Sequence, residues 1–201
     1  MFSDPALKES LVTEKEITLV RLAQKGDTRA FDELVALHDS QVMNLAMSLL
    51  GSKEDAADVY QDIFIRVFKA LNSYRFESEL STWLYRVTVN ACLSFRKSRG
   101  RQQSFFPKSI ESDPEPLMDK PQDAQYEADS NLLQNEMSNI VKAAIDELPP
   151  QQKTVVILRH YQNKKIREIA DIMELNEGTV KGYLFRAMQT LKDKLEPYML
   201  T

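Results

Sequence analysis

Cysteine is almost absent from this sequence of 201 residues, in which Cys92 stands alone. A single cysteine excludes an intrachain disulfide and any metal site built from several cysteines. The two histidines, His38 and His160, have no second histidine or cysteine near them in the sequence, so we predict no metal site and no cofactor. Cys92 is interpreted as a small, partly buried side chain, and a redox role is the alternative.

Long apolar runs and glycine are also scarce. No run approaches the roughly 20 apolar residues that a membrane-spanning helix needs, and the charged, acidic N-terminal stretch lacks the apolar core of a signal peptide. We therefore expect a cytoplasmic protein without direct membrane insertion. With only five glycines and plentiful Leu, Ala, Glu and Lys, the composition predicts an all-α fold.

The net charge of -4 conceals a segregation of charge along the chain. The net charge is -5 in residues 1–80, +5 in 81–101, -5 in 102–130, -2 in 131–150 and +3 in 151–201. The overall negative charge argues against a nucleic-acid partner. Two basic segments separated by an acidic one reverse that inference, because they favour a protein that contacts DNA at two places and a basic protein partner elsewhere.

Residues 165–195 have the pattern of two helices joined by a tight turn. Apolar residues recur at helical spacing over 166–173 and again over 180–195, and residues 175–178 interrupt them. Asn176 is a suitable N-cap for the second helix, because its side-chain oxygen can accept from backbone N–H groups that the first turn leaves unpaired. The pattern predicts a helix-turn-helix.

The second of these helices carries a basic and aromatic face opposite its apolar stripe. At 100° per residue, this face comprises Lys181, Gly182, Phe185, Arg186 and Gln189. Lysine and arginine can bind phosphates and guanine edges, phenylalanine can contact a thymine methyl, and glycine permits close approach to the groove. We predict contact with duplex DNA, and a solvated helix face is the alternative.

Residues 53–71 predict a strongly amphipathic helix with an acidic face. Its apolar arc is predicted as Ala57, Tyr60, Phe64, Val67, Phe68 and Leu71, opposite Asp55, Asp58, Gln61 and Asp62. Paired carboxylates can bind metal or act as acid and base, but no histidine or glycine-rich loop lies nearby in the sequence. The acidic face is interpreted as solvated or as a docking surface for basic residues.

A loop with two aromatic residues, 72–79, precedes a basic helix at 82–99. The predicted buried stripe of this helix is Leu84, Val87, Thr88, Ala91 and Phe95, and on the far side lie Trp83, Arg86, Asn90 and Lys97. An aromatic ring can stack on an unpaired base, a guanidinium and an ammonium can neutralise phosphates, and an amide can read the edge of an unpaired base. Such contact is favoured for Asn90 and Lys97, whereas contact and core packing stay open for Trp83.

Three segments follow one another along the chain. Residues 1–100 are predicted to form an N-terminal helical domain, within which 1–15 are expected to be a loose lead-in. Residues 101–130 are rich in Pro, Ser, Asp and Glu without sustained periodicity, so we predict a flexible acidic linker. Residues 131–201 are predicted to form a C-terminal domain that ends in the helix-turn-helix. The expected architecture is two small helical domains joined by a linker.

Taken in order, these motifs resemble an extracytoplasmic-function (ECF) sigma factor, the minimal two-domain class of promoter-specificity subunit of bacterial RNA polymerase. The resemblance covers about residues 16–100 and 131–196. Its carriers are QKGD-x-x-AF-x-x-L (24–34), DVYQDIFIRVFKAL (58–71), STWLYRVTVNACLSFRKSR (81–99), LPPQQKTVVILRHY (148–161) and IREIADIMELNEGTVKGYLFRA (166–187).

The resemblance implies binding to core RNA polymerase, promoter recognition and transcription initiation, in a stress or envelope response. Docking on the clamp coiled coil of the largest subunit, with the flap as a further contact, is implied for Asp55, Asp58, Gln61, Asp62 and Ile65. Capture of the melted -10 strand is implied for Tyr74, Arg75, Trp83, Arg86, Asn90 and Lys97. Contact with the -35 duplex is implied for Thr179, Lys181, Gly182, Phe185, Arg186 and Gln189. The linker is expected to pass through polymerase channels, and an anti-sigma factor is an expected partner.

The chain departs from the family pattern at Gly182 and Tyr183, where family members commonly place Ser and then Arg. A more shape-based reading of the duplex is compatible with this change. The alternative function is a stand-alone helix-turn-helix repressor or activator that binds an operator. An enzyme with a small-molecule substrate is not expected, because the acidic helix lacks a phosphate-binding loop, a metal-ligand set and a nucleophile with its base.

Overall fold

The computed structural model describes residues 5–105 and 128–199, with side chains described over 14–99 and 137–198. Over these ranges the chain is helical and without strands, which confirms the predicted all-α fold class. The elements are α1 (Pro5–Gln24), α2 (Thr28–Leu50), α3 (Lys53–Ala70), a 3-10 turn (Leu71–Ser73), α4 (Leu80–Phe105), α5 (Ala128–Asp146), α6 (Pro150–Val156), a π-helical turn (Ile157–Tyr161), α7 (Ile166–Met173) and α8 (Glu177–Met199).

Local sequence sets the helix ends in the N-terminal half. The carboxylate of Asp27 caps α2 by accepting from two backbone N–H groups of the first turn, at 3.0 and 3.1 Å. Gly51 ends α2 with a φ of 79°, a left-handed conformation that glycine adopts at little cost. The hydroxyl of Ser52 then caps α3 through the N–H of Asp55. These adjacent caps keep the connection short, and α2 packs against α3.

The predicted loose lead-in, residues 1–15, is wrong for residues 5–15. Helix α1 begins at Pro5 and continues without a break to Gln24. A proline is tolerated at the first helical position, where its missing N–H would have no partner within the helix. No glycine or second proline follows it before Gly26, so the helix runs through this segment.

In the predicted apolar arc of α3, Val67 and Leu71 are buried, and Tyr60 and Phe64 are partly buried against the core. The rest of the buried face lies about one residue away from that arc. The buried residues are Ala56, Val59, Ile63 and Val67. By contrast Ala57 is exposed, and Phe68 keeps 56% of its surface accessible. Both series repeat at helical spacing, so periodicity alone does not choose between them. The positions of α2 and α4, which both pack on α3, decide which series is buried.

Helix α4 is buried on two sides. Its predicted stripe is confirmed at Leu84, Thr88 and Ala91, which are buried. The sequence interpretation missed the buried residues Tyr85 and Val89, whereas Cys92, which was predicted to be partly buried, is buried. Helix α4 packs against α2 and α3 and also against α7, and one hydrophobic core extends from the N-terminal helices to Val155, Ile157, Leu158, Ile169 and Ile172. The N-terminal and C-terminal halves are therefore in direct contact.

Burial makes Cys92 unreactive. The side chain is 1% exposed, and removal from water raises the pKa of its thiol to about 12. Because the thiolate is the reactive species, about one thiol in ten thousand would be reactive at pH 8. We expect the native protein to react with a disulfide-exchange reagent at least 100-fold more slowly than the urea-unfolded chain, measured by thiolate release. Rapid stoichiometric labelling of the folded protein would contradict this prediction and favour a redox role.

The helix-turn-helix is present where it was predicted. Helix α7 ends at Met173 with Glu174 as its C-cap, whose φ is 55°, and the N–H of Leu175 donates to the carbonyl of Ala170 at 2.9 Å. The side-chain oxygen of Asn176 accepts from the backbone N–H and the hydroxyl of Thr179 at 2.7 and 3.0 Å, which confirms the predicted N-cap of α8. The turn and the cap together fix the direction in which α8 leaves α7.

The predicted linker, 101–130, lies largely outside the described residues. Helix α4 continues to Phe105, and α5 begins at Ala128, so helix enters both ends of that segment. Residues 106–127 are not described, and the prediction of an acidic linker falls on them. The domain boundaries at 100 and 130 stay a prediction.

Candidate nucleic-acid and protein contact surfaces

Helix α8 presents the predicted DNA-binding side chains to solvent. Its buried side contains Val180, Ala187 and Leu191, as the apolar periodicity predicts. The opposite side exposes Lys181, Phe185, Arg186 and Gln189, and we call these four residues the recognition face. Phe185 is 72% exposed, the highest value among the exposed large hydrophobic residues. An apolar ring left in water on a basic face is available for contact with a ligand.

The side chains of the recognition face make only weak contacts within the protein at Lys181 and Gln189. Lys181 Nζ lies 3.6 Å from a carboxylate oxygen of Glu177, and both side chains are at least half exposed. Gln189 donates to Asp193 at 3.1 Å across one helical turn. Exposed pairs of this kind contribute little stability, so a phosphate or a base edge can replace them. Thr179 and Gly182 are partly buried beside this face.

The loop between α3 and α4 is held from within by an aromatic cluster. Tyr74 is 8% exposed, and its hydroxyl donates to the carbonyl of Ser78 at 2.6 Å. Its ring centroid lies 4.9 Å from that of Phe76 and 5.3 Å from that of Trp83. The predicted strand contact of Tyr74 does not fit this burial, because the ring is enclosed and its polar atom is already paired. Tyr74 instead fixes the path of the loop.

Phe76 is one of the two aromatic residues noted in the 72–79 loop, but it was not among the individual residues predicted to contact the strand. It is 39% exposed, has a φ of 59°, and lies with its ring 5.8 Å from the Arg21 guanidinium. A positive φ is uncommon for a bulky residue, and such conformations concentrate at functional sites. Arg75 next to it is exposed. The sequence feature that could have pointed to Phe76 is the pair Arg75-Phe76 at the centre of a short loop.

Two of the predicted residues on α4, Asn90 and Lys97, are exposed. Arg86 has a different environment. Its guanidinium donates to the carbonyl of Asp171 at 2.9 Å and lies 3.4 Å from a carboxylate oxygen of Glu174. Asp171 is in the last turn of α7, where carbonyl groups lack partners within the helix and carry partial negative charge. Arg86 therefore caps α7 and joins the two halves of the molecule.

Trp83 takes part in core packing without being fully enclosed. It is partly buried, packs against the main hydrophobic core and contacts Tyr74. The choice between core packing and strand contact stays open, because Trp83 packs on the core and is only partly buried.

Tyr85 was not predicted, and it forms the second polar connection between the halves. Its hydroxyl accepts from the Gln41 amide at 3.2 Å and donates to Gln162 Oε1 at 2.9 Å. The Lys164 ammonium lies 4.6 Å from the centre of its ring. Gln41 and Gln162 are 44 and 77 residues away from Tyr85 in the sequence, so no local pattern indicates these hydrogen bonds.

The acidic side of α3 forms a second exposed surface. Asp58, Gln61, Asp62 and Ile65 are exposed, and we call these four residues the docking face. Ile65 is 52% exposed, with the exposed Phe68 one turn further along. The ring of Phe68 packs edge-on against Phe31 of α2 at a centroid distance of 5.0 Å. Carboxylates beside exposed apolar side chains suit a partner that offers basic groups and an apolar pocket.

Asp55 differs from the other predicted docking residues. Its carboxylate is paired with the guanidinium of Arg99 on α4, and its side chain is 19% exposed. Asp62 also has an intramolecular partner, because Arg66 Nε lies 2.7 Å from its carboxylate, but both of these side chains are about half exposed. Asp55 therefore ties α3 to α4, whereas Asp62 remains accessible.

No group of three or more potential metal ligands occurs among the residues whose side chains are described. In the same part of the chain, no helix has the length and apolar character to cross a membrane.

Known proteins are similar to this chain along most of its length. The family model Sigma-70 region 2 matches residues 34–102, and Sigma-70, region 4 matches residues 138–191. The ECF RNA polymerase sigma-E factor of Escherichia coli (strain K12) is 33% identical over 183 residues, which are 89% of this chain and 93% of that protein. The chain belongs to the ECF sigma factor family. The RNA polymerase sigma-H factor of Pseudomonas aeruginosa is 30% identical over 192 residues, 94% of this ECF sigma factor and 98% of the relative.

Two solved structures share the fold of this ECF sigma factor. CnrH in complex with the cytosolic domain of CnrY has a TM-score of 0.62 at 22% identity, covering 91% of this chain and 98% of that one. The sigma factor RpoE in complex with the anti-sigma factor NepR from Bartonella quintana has a TM-score of 0.59 at 23% identity, covering 83% and 96%. The chain is a sigma factor that directs promoter recognition by RNA polymerase, and the stand-alone regulator is not favoured.

Proposed function

We propose that this sigma factor divides promoter recognition between its two halves and binds core polymerase through a third surface. The observation that carries the proposal is the presence of two chemically different exposed faces, one basic and aromatic on α8 and one acidic and apolar on α3. A basic face suits DNA, whereas an acidic face repels it and suits a basic protein surface.

The recognition face is proposed to enter the major groove of the -35 element. Arginine can pair with both guanine acceptors, O6 and N7, and an exposed phenylalanine can contact a thymine methyl. Lys181 is proposed to bind a phosphate near the N-terminus of α8, where the helix dipole also favours negative charge. Thr179 and Gly182 lie beside the face and allow the backbone to approach the duplex.

The surface around the 72–79 loop is proposed to capture a base of the melted -10 strand. Asn90 and Lys97 are exposed for hydrogen bonding and phosphate contact, and Arg75 is exposed on the loop. The accessible part of Trp83 offers a surface for stacking. Tyr74 supports this surface from below, because it is buried beneath the loop. Arg86 can join it only where its contacts with α7 are released.

The docking face is proposed to bind the clamp coiled coil of the largest polymerase subunit. Asp58, Gln61 and Asp62 supply polar contacts, and Ile65 supplies the apolar centre that the strongest interface contacts require. Asp55, already paired with Arg99, is proposed to stabilise α3 for docking. A further contact of the C-terminal half with the flap is also proposed.

The wider setting of the protein follows from these roles. An anti-sigma factor is proposed as the regulatory partner, because the related sigma factor RpoE has been solved bound to one. The sigma factor is proposed to act in the cytoplasm, where polymerase meets promoter DNA. It is proposed to carry out no covalent chemistry itself, because its part is recognition and strand capture.

The test of the proposal is reconstitution with core polymerase. We expect the purified chain to form a stable complex with core enzyme and to direct run-off transcription from a subset of a genomic fragment library. Binding to duplex DNA without any stable complex with core enzyme would contradict the proposal.

Replacing Arg186 with alanine should lower transcription from promoters that depend on the upstream element. Loss of a bidentate arginine–guanine contact removes about 1–3 kcal/mol, or about five- to 150-fold in promoter binding. The matched control is Lys194→Ala on the same helix, because Lys194 is paired with Glu147, which directly follows α5, away from the recognition face. Run-off transcription measures the difference, and equal output from both variants would contradict the -35 assignment.

A further inference from the structure

The side chain of Arg186 does not extend freely into solvent. Its guanidinium carbon lies 5.2 Å from the centre of the Tyr183 ring, which is within the range of a cation–π contact. Long side chains in a helix point back toward its N-terminus, so a residue at i meets the ring three positions earlier. The charged end of Arg186 therefore rests over the preceding turn of α8.

Because Gly182 has no side chain, the Arg186 guanidinium can occupy the space beside it. A Cβ atom built at Gly182 would lie 3.8 and 3.9 Å from the two terminal guanidinium nitrogens of Arg186. These are ordinary contact distances, so the guanidinium lies beside the position that a Cβ would occupy at residue 182. A side chain extending beyond Cβ at residue 182 would compete with Arg186 for the same space.

Tyr183 provides a fixed support. It is partly buried and packs against the main hydrophobic core, whereas Arg186 is exposed. A ring held by the core loses little further freedom when it carries a guanidinium on its face. The contact restricts an otherwise flexible arginine to a small part of its conformational range.

We infer that Tyr183 is a positioning residue that pre-orients Arg186 for recognition of one base pair in duplex DNA. The inference rests on the proposed -35 contact of Arg186. An arginine already ordered before binding loses less side-chain entropy on binding, and its planar fork meets the guanine acceptors in one orientation. Tyr183 thus determines how strongly one base pair is discriminated without contacting that base pair itself.

The test uses holoenzyme reconstituted from core polymerase and the full chain. The probe is a duplex carrying the upstream element that this holoenzyme selects from a random-sequence library, together with single-base-pair variants of it. Tyr183→Phe keeps the ring, whereas Tyr183→Leu and Tyr183→Met keep apolar packing without an aromatic face. Thermal unfolding of each variant verifies that the chain is folded.

Tyr183→Leu and Tyr183→Met are expected to weaken binding to the selected duplex about three- to tenfold, from the loss of one pre-ordered side chain. They should also relax discrimination at the single position that Arg186→Ala relaxes, while Tyr183→Phe stays within about twofold of the unmodified protein. In the Arg186→Ala background the Tyr183 substitutions should have no further effect, because the two residues act as one unit.

Two outcomes would overturn the inference. The first is unchanged selectivity in both Tyr183→Leu and Tyr183→Met, and the second is an equal loss of binding whether or not Arg186 is present. Failure of the -35 assignment is a separate result, since Arg186→Ala itself would then leave duplex binding unchanged.

Discussion

Replacing Ile65 with aspartate should strongly weaken formation of the polymerase holoenzyme while leaving the fold intact. Ile65 is 52% exposed on α3, so it contributes little to the core, and a helix surface accepts aspartate at a small cost in stability. An apolar residue at the centre of an interface often contributes 2 kcal/mol or more, and a carboxylate buried there without a partner is unfavourable. We expect the affinity for core polymerase to fall by about 30-fold or more.

The matched control for Ile65→Asp is Leu22→Asp. Leu22 is 41% exposed on α1 and lies outside the docking face. Leu22→Asp therefore replaces an exposed aliphatic side chain with a carboxylate, as Ile65→Asp does, but away from the proposed polymerase contact. Co-purification or fluorescence titration with core enzyme gives the affinities, and thermal unfolding gives the stabilities. Normal binding of Ile65→Asp, or an equal loss in both variants, would show that the docking face is not the principal contact with polymerase.

The helix ends were predictable because they depend on residues close in sequence. Asp27, Gly51 and Asn176 act through backbone groups within a few positions, and Asn176 caps α8 as the sequence predicted. The recognition face was predictable for a similar reason. Helix α8 has one apolar stripe, and its burial leaves the opposite side exposed.

The register of α3 could not be predicted from its own sequence. Apolar side chains cover much of its circumference, so two stripes, one containing Ile63 and the other Phe64, satisfy the helical period. Which stripe is buried depends on α2 and α4. The exposure of Phe68 is the practical consequence, because it adds an aromatic side chain beside Ile65 that the predicted site lacked.

The roles of Arg86 and Tyr85 could not be predicted from helical periodicity. Their partners in the C-terminal half, Asp171 and Gln162, are 85 and 77 residues away. A helical wheel places Arg86 with Asn90 on one face of α4, but it does not reveal that α7 approaches that face. The structure thus separates two residues that the sequence grouped. Asn90 is exposed, whereas Arg86 is bound to the C-terminal half.

This separation decides which variant tests strand capture. Trp83→Ala would remove part of the core, and Arg86→Ala would remove the cap of α7, so a loss of function in either has two explanations. Asn90 is exposed and can be changed to alanine without disturbing the packing of α4. Alanine also favours the helix more than asparagine does, so the substitution does not weaken α4.

Asn90→Ala should reduce open-complex formation by about tenfold or more while leaving holoenzyme assembly unchanged. An amide that pairs with the edge of an unstacked base contributes about 1–3 kcal/mol to its recognition. Asn44→Ala is the matched control, because Asn44 is an exposed asparagine on α2. Permanganate footprinting of melted promoter DNA measures opening, and co-purification measures assembly.

Templates with a pre-opened bubble distinguish a role of Asn90 in binding the melted strand from a role in the melting step. If Asn90 holds a base of the melted strand, the variant should bind such a template more weakly as well, because the contact is lost in the final complex and not only during melting. Normal binding of the bubble combined with slow opening of duplex would assign Asn90 to the melting step alone. Normal opening and normal bubble binding together would remove Asn90 from the strand-binding surface. The remaining candidates for strand contact would then be Lys97, Trp83 and the 72–79 loop with Arg75 and Phe76.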